Sequence, residues 1–362
     1  MRQFYFMFSK GEMMKKTILI SIVALVFVAC SSSSTPSNKA GAFCFIEDFT
    51  KQSISKEAAS KIAVIVPEKV LKSYSNIIIN SSIAYMLRQK ASVSVDVFLI
   101  GTEDDNKIKA LVSELGAQDY RFVVAGFTIK GANVLANLGA DDLYFFIPTL
   151  HKNSTNINAS NIYFGGIDYD AQIQRLLSFS NNYVASFYDD SALSSTLNQK
   201  LIDAHKNTKS VKLNSDKTDF EMLFRRAKLD NASIFFNTPL VKSAILGSQI
   251  RANEVAPYML LSTQISYNPI LLSLTQPEDR MHLLIANSIA NNDAGLSFLN
   301  EMLGHSVDYN WVVYATNVGL DYFYTQMMNT RSKRLFKEEM QNNQILYSIR
   351  IMKALETNFS EE

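Results

Sequence analysis

Hydroxyl and amide side chains recur where apolar, strand-like runs of this sequence end, and their chemistry could hold a ligand. Such groups donate and accept hydrogen bonds, so they can replace the hydration shell of a small polar molecule. The same residue types cap helices and satisfy turn amides, so a structural role is open at each position. The candidate ligand-binding residues are Thr128, Thr149, Tyr188, Asn237, Thr238 and Thr263, with Ser262 beside the last of them.

The histidines and glycines of the sequence do not form a catalytic or metal-binding pattern. No G-x-S-x-G elbow, phosphate-binding loop or dinucleotide-binding G-x-G-x-x-G is present. The Gly165-Gly166 pair follows a strand-like run but lacks a third glycine, which favours a tight turn over a phosphate cradle. We therefore expect a protein that is not an enzyme and that uses no metal or cofactor. Metal-ligand spacing is missing among the four histidines, which are His151, His205, His282 and His305.

Cys30 is the residue whose surroundings indicate covalent modification. The basic pair Lys15-Lys16 precedes an apolar run over 17–29, Ala29 provides a small residue next to the cysteine, and serines follow. The run has the length of a signal-peptide core and is too short to span a bilayer. This arrangement resembles the bacterial lipoprotein signal, which implies that Cys30 is acylated and becomes the mature N-terminus. A plain secretory signal or a short anchor helix is the alternative.

This resemblance sets the expected organisation of the first 59 residues. Residues 1–29 are the predicted signal peptide, with translation starting at Met13 or Met14, and 30–59 form a lipid-bearing, Ser-rich tether. Ser31 follows the cysteine where an acidic residue would imply retention in the inner membrane. The expected location is therefore the outer membrane of a bacterial envelope, with the protein facing the periplasm.

Composition indicates a globular protein with two ordinary domains. The chain has 362 residues, of which 47% are hydrophobic, so it can bury a substantial core. The formal net charge of +1 gives no reason to expect a nucleic-acid partner. Acylation of Cys30 would leave Cys44 without an internal disulfide partner, which favours a small apolar role over a reactive thiol.

Strand-like and helix-like segments alternate along the chain from residue 61 onward. The alternation of apolar runs with helical periodicity predicts βαβ units and parallel sheets. A first block of predicted strands ends near residue 150, and a second block covers about 162–288. We therefore predict two doubly wound parallel-sheet lobes joined by a hinge, with the strand ends facing the cleft between them.

Polar, aperiodic stretches at 151–161 and 289–295 are the predicted crossovers between the two lobes. They divide the chain into a first lobe of residues 60–150 plus 290–330 and a second lobe of residues 160–288 plus 331–362.

The order and spacing of these segments over about 60–355 resemble the type I periplasmic-binding fold. Gly126 and Thr128 match the Gly-x-Ser/Thr turn of that family, and Asp219 and Phe220 match its Asp-Phe-x-x-Leu helix. The resemblance implies a bilobal binding protein.

Two groups within that superfamily compete for this sequence. The stretches NIYFGGIDYDAQIQ, ASIFFNTPLVKSAILGSQI and LLSTQISYN resemble the C-terminal domain of the lipoproteins that activate penicillin-binding proteins. The Leu/Ile/Val-type solute-binding proteins of ABC transporters are the second resemblance. The sequence departs from that group at 67–70, 148–151 and 191–194, where its members carry ligand-binding turns.

The resemblance to the activators implies a lipid-anchored, non-catalytic periplasmic protein that regulates or scaffolds peptidoglycan synthesis. Its expected partners are the membrane, through the anchor, and a peptidoglycan synthase. The alternative is a receptor that binds a small polar ligand in the cleft and delivers it to an ABC permease.

Overall fold

Two seven-stranded sheets make up the part of the chain that the computed structural model describes, residues 60–213, 218–290 and 292–362. These residues belong to one compact unit, Ala58–Glu362. The predicted signal peptide 1–29 and the tether 30–59, with Cys30 and Cys44, lie outside the described residues.

The strands are short and follow the order expected from the apolar runs. They are β1 (Ser60–Val66), β2 (Val93–Leu99), β3 (Phe122–Ala125), β4 (Tyr144–Ile147), β5 (Ile162–Phe164), β6 (Val184–Tyr188), β7 (Lys209–Lys212), β8 (Ser233–Asn237), β9 (Met259–Ser262), β10 (Leu283–Asn287), β11 (Glu339–Gln341), β12 (Gln344–Leu346), β13 (Arg350–Ala354) and β14 (Phe359–Glu361).

The helices lie mostly between consecutive strands. They are α1 (Glu68–Leu71), α2 (Ser73–Arg88), α3 (Asp105–Ala117), α4 (Ile129–Ala136), α5 (Tyr169–Leu177), α6 (Ala192–Ala204), α7 (Phe220–Ala227), α8 (Leu240–Ala252), α9 (Ile270–Leu274), α10 (Ala294–Met302) and α11 (Trp311–Phe323). Side chains at their first turns explain several boundaries. Asp104 caps α3 by accepting the N–H groups of Asn106 and Lys107, and Asp219 caps α7 by accepting that of Met222.

Each sheet has a parallel centre and an antiparallel addition from the C-terminal part of the chain. The order of the first sheet is β11-β12-β5-β4-β3-β1-β2, and that of the second is β14-β13-β10-β9-β8-β6-β7. Strand β13 runs antiparallel to β10 and β14, and β11 runs antiparallel to β12. The prediction of two doubly wound lobes is confirmed, but the sheets are mixed. β11 with β12 and β13 with β14 form hairpins, in which strands joined by a short connection pair antiparallel. β13 also pairs antiparallel with β10, which is distant in the sequence.

Helices cover both faces of the central strands. In β1, Val64 packs in the cluster that includes α2 and α11, while Ala63 and Ile65 pack in the cluster that includes α3 and α4. Strands covered in this way need apolar residues at consecutive positions. Burial on both faces therefore explains the uninterrupted run KIAVIV.

The chain passes between the lobes after β5, after β10, and between β12 and β13. The predicted crossover at 151–161 is wrong, because this loop joins β4 to β5 within the first sheet. The predicted assignment of β5, β11 and β12 to the second lobe is also wrong, because all three strands belong to the first sheet. A polar composition indicates that a segment is exposed to water. A surface loop within one lobe and a linker between lobes are both exposed, so composition does not distinguish them.

The first true crossover is short and begins at the Gly165-Gly166 pair. Gly166 donates its N–H to the carbonyl of Leu150 over 2.7 Å. A Cβ atom at Gly166 would lie 2.3–2.6 Å from backbone atoms of Leu150 and His151. Tyr347, from the third crossover, donates its hydroxyl to the carbonyl of Gly165 over 2.6 Å. These glycines therefore allow close packing of backbone segments at the hinge.

Candidate binding site at the strand ends

Thr128 is the N-cap residue of α4, at the end of the connection from β3. Its hydroxyl is hydrogen-bonded to a buried carboxylate. The hydroxyl donates to Glu103 Oε2 over 2.5 Å, and the Thr128 N–H donates to Glu103 Oε1 over 2.6 Å. Its oxygen also accepts the N–H of Lys130 over 3.3 Å, as a helix cap does. Glu103 is 4% exposed. The hydroxyl proton of Thr128 is therefore already used in a hydrogen bond within the protein.

Thr149, at the end of the β4 region, lies at the same corner of the first lobe. Its hydroxyl donates to the carbonyl of Phe127 over 2.7 Å. Phe127 immediately precedes Thr128, so the two predicted residues of this lobe are brought together by one backbone segment. Both hydroxyl protons are directed at protein acceptors.

Tyr188 and Asn237 end adjacent strands of the second lobe and face each other in the β6–β8 register. The Asn237 amide nitrogen donates to Ser186 Oγ over 3.0 Å, and Ser186 Oγ donates to Asn198 Oδ1 over 2.8 Å. Asn237 is fully buried, and its Oδ1 has no hydrogen-bond partner among the described residues. This oxygen retains capacity to accept a hydrogen bond.

Thr238 and Thr263 continue the row of strand ends in the same lobe, and both are fully buried. The hydroxyls of Thr238 and Ser243 are 2.9 Å apart. Ser262 donates to the carbonyl of Phe236 over 2.9 Å. Thr263 Oγ1, in contrast, has no partner among the described residues. The row thus contains two satisfied hydroxyls and one free hydroxyl.

Asp189 follows β6 and forms a charged contact with Lys242 of α8 at these strand ends. Its Oδ2 accepts from Lys242 Nζ over 2.6 Å, and its Oδ1 accepts from the hydroxyl and N–H of Ser191 over 2.6 and 3.0 Å. Burial opposes ionisation of this carboxyl, but the hydrogen bonds from Lys242 and Ser191 outweigh it and lower its pKa to about 2.

A buried network of amide side chains, which the sequence did not predict, joins α5 to the ends of β9 and β10 in the second lobe. Gln172 of α5 donates to Ser288 Oγ over 2.7 Å and accepts the N–H of Gln264 over 2.9 Å. The Gln264 amide donates to Asn287 Oδ1 over 3.1 Å. These four residues carry no ionisable group. Gln172 and Gln264 lie in the stretches NIYFGGIDYDAQIQ and LLSTQISYN, but only the three-dimensional arrangement shows that they bond to each other.

His151 and Asp168 meet beside the first crossover. His151 Nε2 lies 3.7 Å from Asp168 Oδ2, and His151 Nδ1 accepts the N–H of Asn153 over 3.2 Å. Burial lowers the pKa of His151, although the nearby Asp168 carboxylate acts in the opposite direction. An Nδ1 acceptor requires the proton on Nε2, directed toward Asp168, so this histidine links the two sides of the crossover.

No protein-family model and no curated protein sequence matches this chain. Solved structures match it over most of its length. The branched-chain amino acid binding protein LivJ of Streptococcus pneumoniae, in complex with isoleucine, gives a TM-score of 0.57 at 9% identity, with 84% of this chain and 99% of that chain covered. The type I periplasmic-binding fold is the fold of this chain.

Other structures with this fold carry different binding functions. A solute-binding protein of an ABC transporter from R. palustris, in complex with 4-hydroxybenzoate, gives a TM-score of 0.55 at 14% identity, covering 84% of this chain and 95% of that chain. LpoA of Haemophilus influenzae, a penicillin-binding-protein activator lipoprotein, gives 0.57 at 8% identity. The match covers 85% of this chain and 59% of LpoA. At these identities the likeness establishes the fold alone.

Within residues 60–213, 218–290 and 292–362, no group of three histidine, cysteine or acidic side chains is placed to hold a metal ion. In the same ranges, no helix combines the length and apolar character needed to cross a membrane.

Proposed function

We propose that this protein is a lipid-anchored, non-catalytic component of the bacterial cell envelope that regulates or scaffolds peptidoglycan synthesis. The observation that carries this choice is the internal use of the strand-end hydroxyls. Thr128 donates to Glu103, Thr149 to the Phe127 carbonyl, and Thr238 is hydrogen-bonded to Ser243. The LpoA structure supplies a precedent for this fold in an activator lipoprotein.

The physical reason concerns the charged ends of a free amino acid. A carboxylate and an ammonium group are well solvated in water, so a binding site must replace that hydration with fixed polar partners. Four of the six predicted side chains already bond protein groups, namely those of Thr128, Thr149 and Thr238 through their hydroxyls and that of Asn237 through its amide nitrogen. Redirecting a hydroxyl such as that of Thr128 to a ligand would leave the buried Glu103 carboxylate short of a donor, which costs free energy.

Calorimetry with the full-length chain tests the ligand side of this proposal. Titration with leucine, isoleucine and valine should give no submicromolar binding. Binding of one of these amino acids in that range, abolished by Thr128→Ala but retained by Thr128→Ser, would contradict the proposal.

A reconstituted synthesis assay tests the regulatory side. The full-length protein should raise the glycan-polymerising or cross-linking rate of a peptidoglycan synthase from the same cell by at least severalfold. A rate unchanged at saturating protein, together with no co-purification from detergent-solubilised envelopes, would remove the regulatory function.

The lipid anchor is the part of this proposal that rests on the sequence, since Cys30 lies outside the described residues. A single myristoyl-sized chain binds membranes only marginally, so stable attachment requires several acyl chains or a second signal. Cys30→Ala should release or mislocalise the protein on fractionation of cells, whereas Cys44→Ala should leave its distribution unchanged. Equal membrane association of Cys30→Ala and the parent would rule out the lipoprotein assignment.

A solute-binding receptor of an ABC transporter is the second candidate, and the free polar atoms of the second lobe favour it. Asn237 Oδ1 and Thr263 Oγ1 are buried without partners among the described residues. Buried polar atoms are normally paired, so these two sites could accept groups of a small polar ligand. A thermal-shift screen checks this, because a ligand at 100 times its dissociation constant stabilises by about 2.7 kcal/mol. A shift abolished by Asn237→Leu would make the receptor the preferred function.

A further inference from the structure

The edge of β2 that faces away from β1 has no partner strand among the described residues, and the proposed function does not use it. β2 is the outermost strand of the first sheet, and its paired neighbour among the described residues is β1. Ile100 donates its N–H to the carbonyl of Val66, so the even-numbered residues face β1. Backbone polar groups alternate in direction along a strand. The N–H and C=O groups of Val93, Val95, Val97 and Leu99 therefore point to the edge that faces away from β1.

One face of β2 is apolar along its whole length, since it consists of the same four residues. Val97 is 39% exposed and Leu99 is 62% exposed. Val70 on α1 and Tyr74 on α2 are 39% and 40% exposed, and α2 contacts both α1 and β2. Exposed apolar surface that extends beyond one element marks an interaction site more often than isolated exposed residues do.

The other three edge strands are short and charged. β7 has four residues and carries Lys209 and Lys212, while β11 and β14 have three residues each and carry Glu339 and Glu361. Short length and charged side chains are the usual means of blocking association at sheet edges. β2 has seven residues, and its apolar face carries no charge. Its single charged residue, Asp96, lies on the opposite face, and β2 is longer and has a lower proportion of charged residues than the other edges.

We propose that β2 pairs antiparallel with β2 of a second copy of this chain, joining the two first sheets across a two-fold axis at Val97. Val97 then lies opposite itself, and Val95 lies opposite Leu99 of the second copy. All of these residues direct their backbone groups outward. Three hydrogen-bonded residue pairs of this kind provide about six interstrand hydrogen bonds.

Charge disfavours a register with the axis at Asp96, and the exposure of Val97 and Leu99 favours an axis at Val97 over one at Val95. An axis at Asp96 would place two carboxylates directly opposite each other, which is destabilising. An axis at Val97 instead places Asp96 opposite Phe98. Asp96 also accepts the hydroxyl of Tyr120 over 2.8 Å and that of Ser94 over 3.2 Å within its own chain. The edge is thus self-complementary, as a two-fold interface requires.

The expected dimer is weak. A seven-residue strand extends over roughly 23 Å, so strand pairing with the adjacent apolar patch forms a small interface. Small interfaces typically belong to transient complexes. The association should therefore depend on protein concentration.

Cysteine cross-linking of the full-length chain in a Cys44→Ala background tests the register. Hydrogen-bonded pairs in antiparallel sheets have Cα atoms about 5.5 Å apart, within the reach of a disulfide or a short bismaleimide. Val97→Cys should form a covalent dimer. Val93→Cys is the control, because it lies four residues from the axis and about 27 Å from its counterpart. The Cys44→Ala chain without an added cysteine gives the baseline.

Sedimentation velocity on the same full-length background tests the association itself. Val97→Lys should raise the dimer dissociation constant at least tenfold, whereas Val241→Lys, at a 57% exposed position on α8, should not change it. The proposal is overturned by a parent that remains monomeric together with no Val97→Cys dimer. It is also overturned if Val93→Cys and Val97→Cys give equal yields of covalent dimer, or if Val97→Cys cross-links to a different protein. If Val97→Lys does not fold, the cysteine pair still decides.

Discussion

At the scale of single residues, buried carboxylates organise the polar contacts at the strand ends of both lobes. Glu103 binds the N–H and hydroxyl of Thr128, and Asp189 binds Lys242 and Ser191. Both acids are 4% exposed. A buried carboxylate needs hydrogen-bond donors, so these contacts stabilise the fold whether or not a ligand binds.

Replacing Thr128 should therefore affect stability in the absence of any ligand. Thr128→Val keeps the shape of the side chain but removes the donor to Glu103, and the free energy of unfolding should fall by about 1–3 kcal/mol. Thr128→Ser keeps the hydroxyl and should retain most of the stability. Urea unfolding followed by circular dichroism measures both, and equal midpoints for Thr128→Val and the parent would contradict this role.

Asp189 should make stability depend on pH in the acid range. Its pKa falls from the ordinary 3.8 to about 2 on folding, so its contribution is complete above pH 4 and is lost as the pH falls toward 2. At 1.36 kcal/mol per pKa unit, that contribution is about 2 kcal/mol. The stability difference between the parent and Asp189→Asn should shrink over this range. Asp190→Asn, at a side chain 78% exposed, is the control, and an unchanging difference for Asp189→Asn would oppose the assignment.

Sequence reasoning could locate the strand-end hydroxyls but could not assign their partners. Thr128 and Thr149 follow apolar runs, and that position is visible in the sequence. Glu103 lies 25 residues before Thr128, and nothing in its local pattern distinguishes it from the acidic residues that cap α3. Gln172 and Gln264 lie in stretches that resemble the activators, but the sequence does not show that they pair, because they are 92 positions apart.

At the scale of elements, the first crossover depends on a glycine in close backbone contact. Gly166→Ala should lower the melting temperature, because its Cβ would overlap the backbone of Leu150 and His151, which costs about 1–3 kcal/mol or more. Gly116→Ala provides a matched control. Its Cβ would meet nothing within 4 Å, and alanine in a helix is favoured over glycine by about 1 kcal/mol. Comparable melting temperatures for the two variants would argue against a packed hinge.

Periodicity predicted the elements better than it predicted their membership in the two sheets. The apolar run at 61–67 predicts a strand and coincides with β1, Ser60–Val66, and the helical periodicity at 73–89 predicts a helix and coincides with α2, Ser73–Arg88. Their patterns are local, so the sequence displays them directly. Strand β5 has only three residues, and β12 reaches its neighbour β5 through the pair Gln344 and Phe164. Such distant pairing leaves no local pattern.

At the scale of the whole molecule, an aromatic cluster joins the two lobes beside the second crossover, where Asn292 donates its side-chain amide to the neighbouring Asp308 over 2.7 Å. Tyr309 precedes α11, whose residues pack in the core of the first lobe. The Tyr309 ring lies 5.4 Å from that of Tyr267 and 6.3 Å from that of Phe359, both in the second lobe. Aromatic pairs at these distances contribute beyond the burial of their area. This cluster should restrict rotation of one lobe against the other.

Removing this contact should loosen the arrangement of the lobes. Tyr309→Ala should destabilise the protein by about 2 kcal/mol and increase its radius of gyration in small-angle X-ray scattering. Tyr258→Ala, at a tyrosine 48% exposed, should leave both quantities unchanged. A Tyr309→Ala protein with the scattering curve and stability of the parent would show that the cluster does not connect the lobes mechanically.

The strands of residues 339–361 have a consequence for how this protein is made. β11 and β12 complete one sheet, and β13 and β14 complete the other, so ribosomes finish every other strand of both sheets first. The contact between Phe164 and Gln344 closes a loop of 180 residues (344 − 164), and such non-local closure slows folding. A nascent chain therefore stays incompletely folded until late in synthesis. Neither lobe, moreover, is encoded by one continuous stretch of the gene.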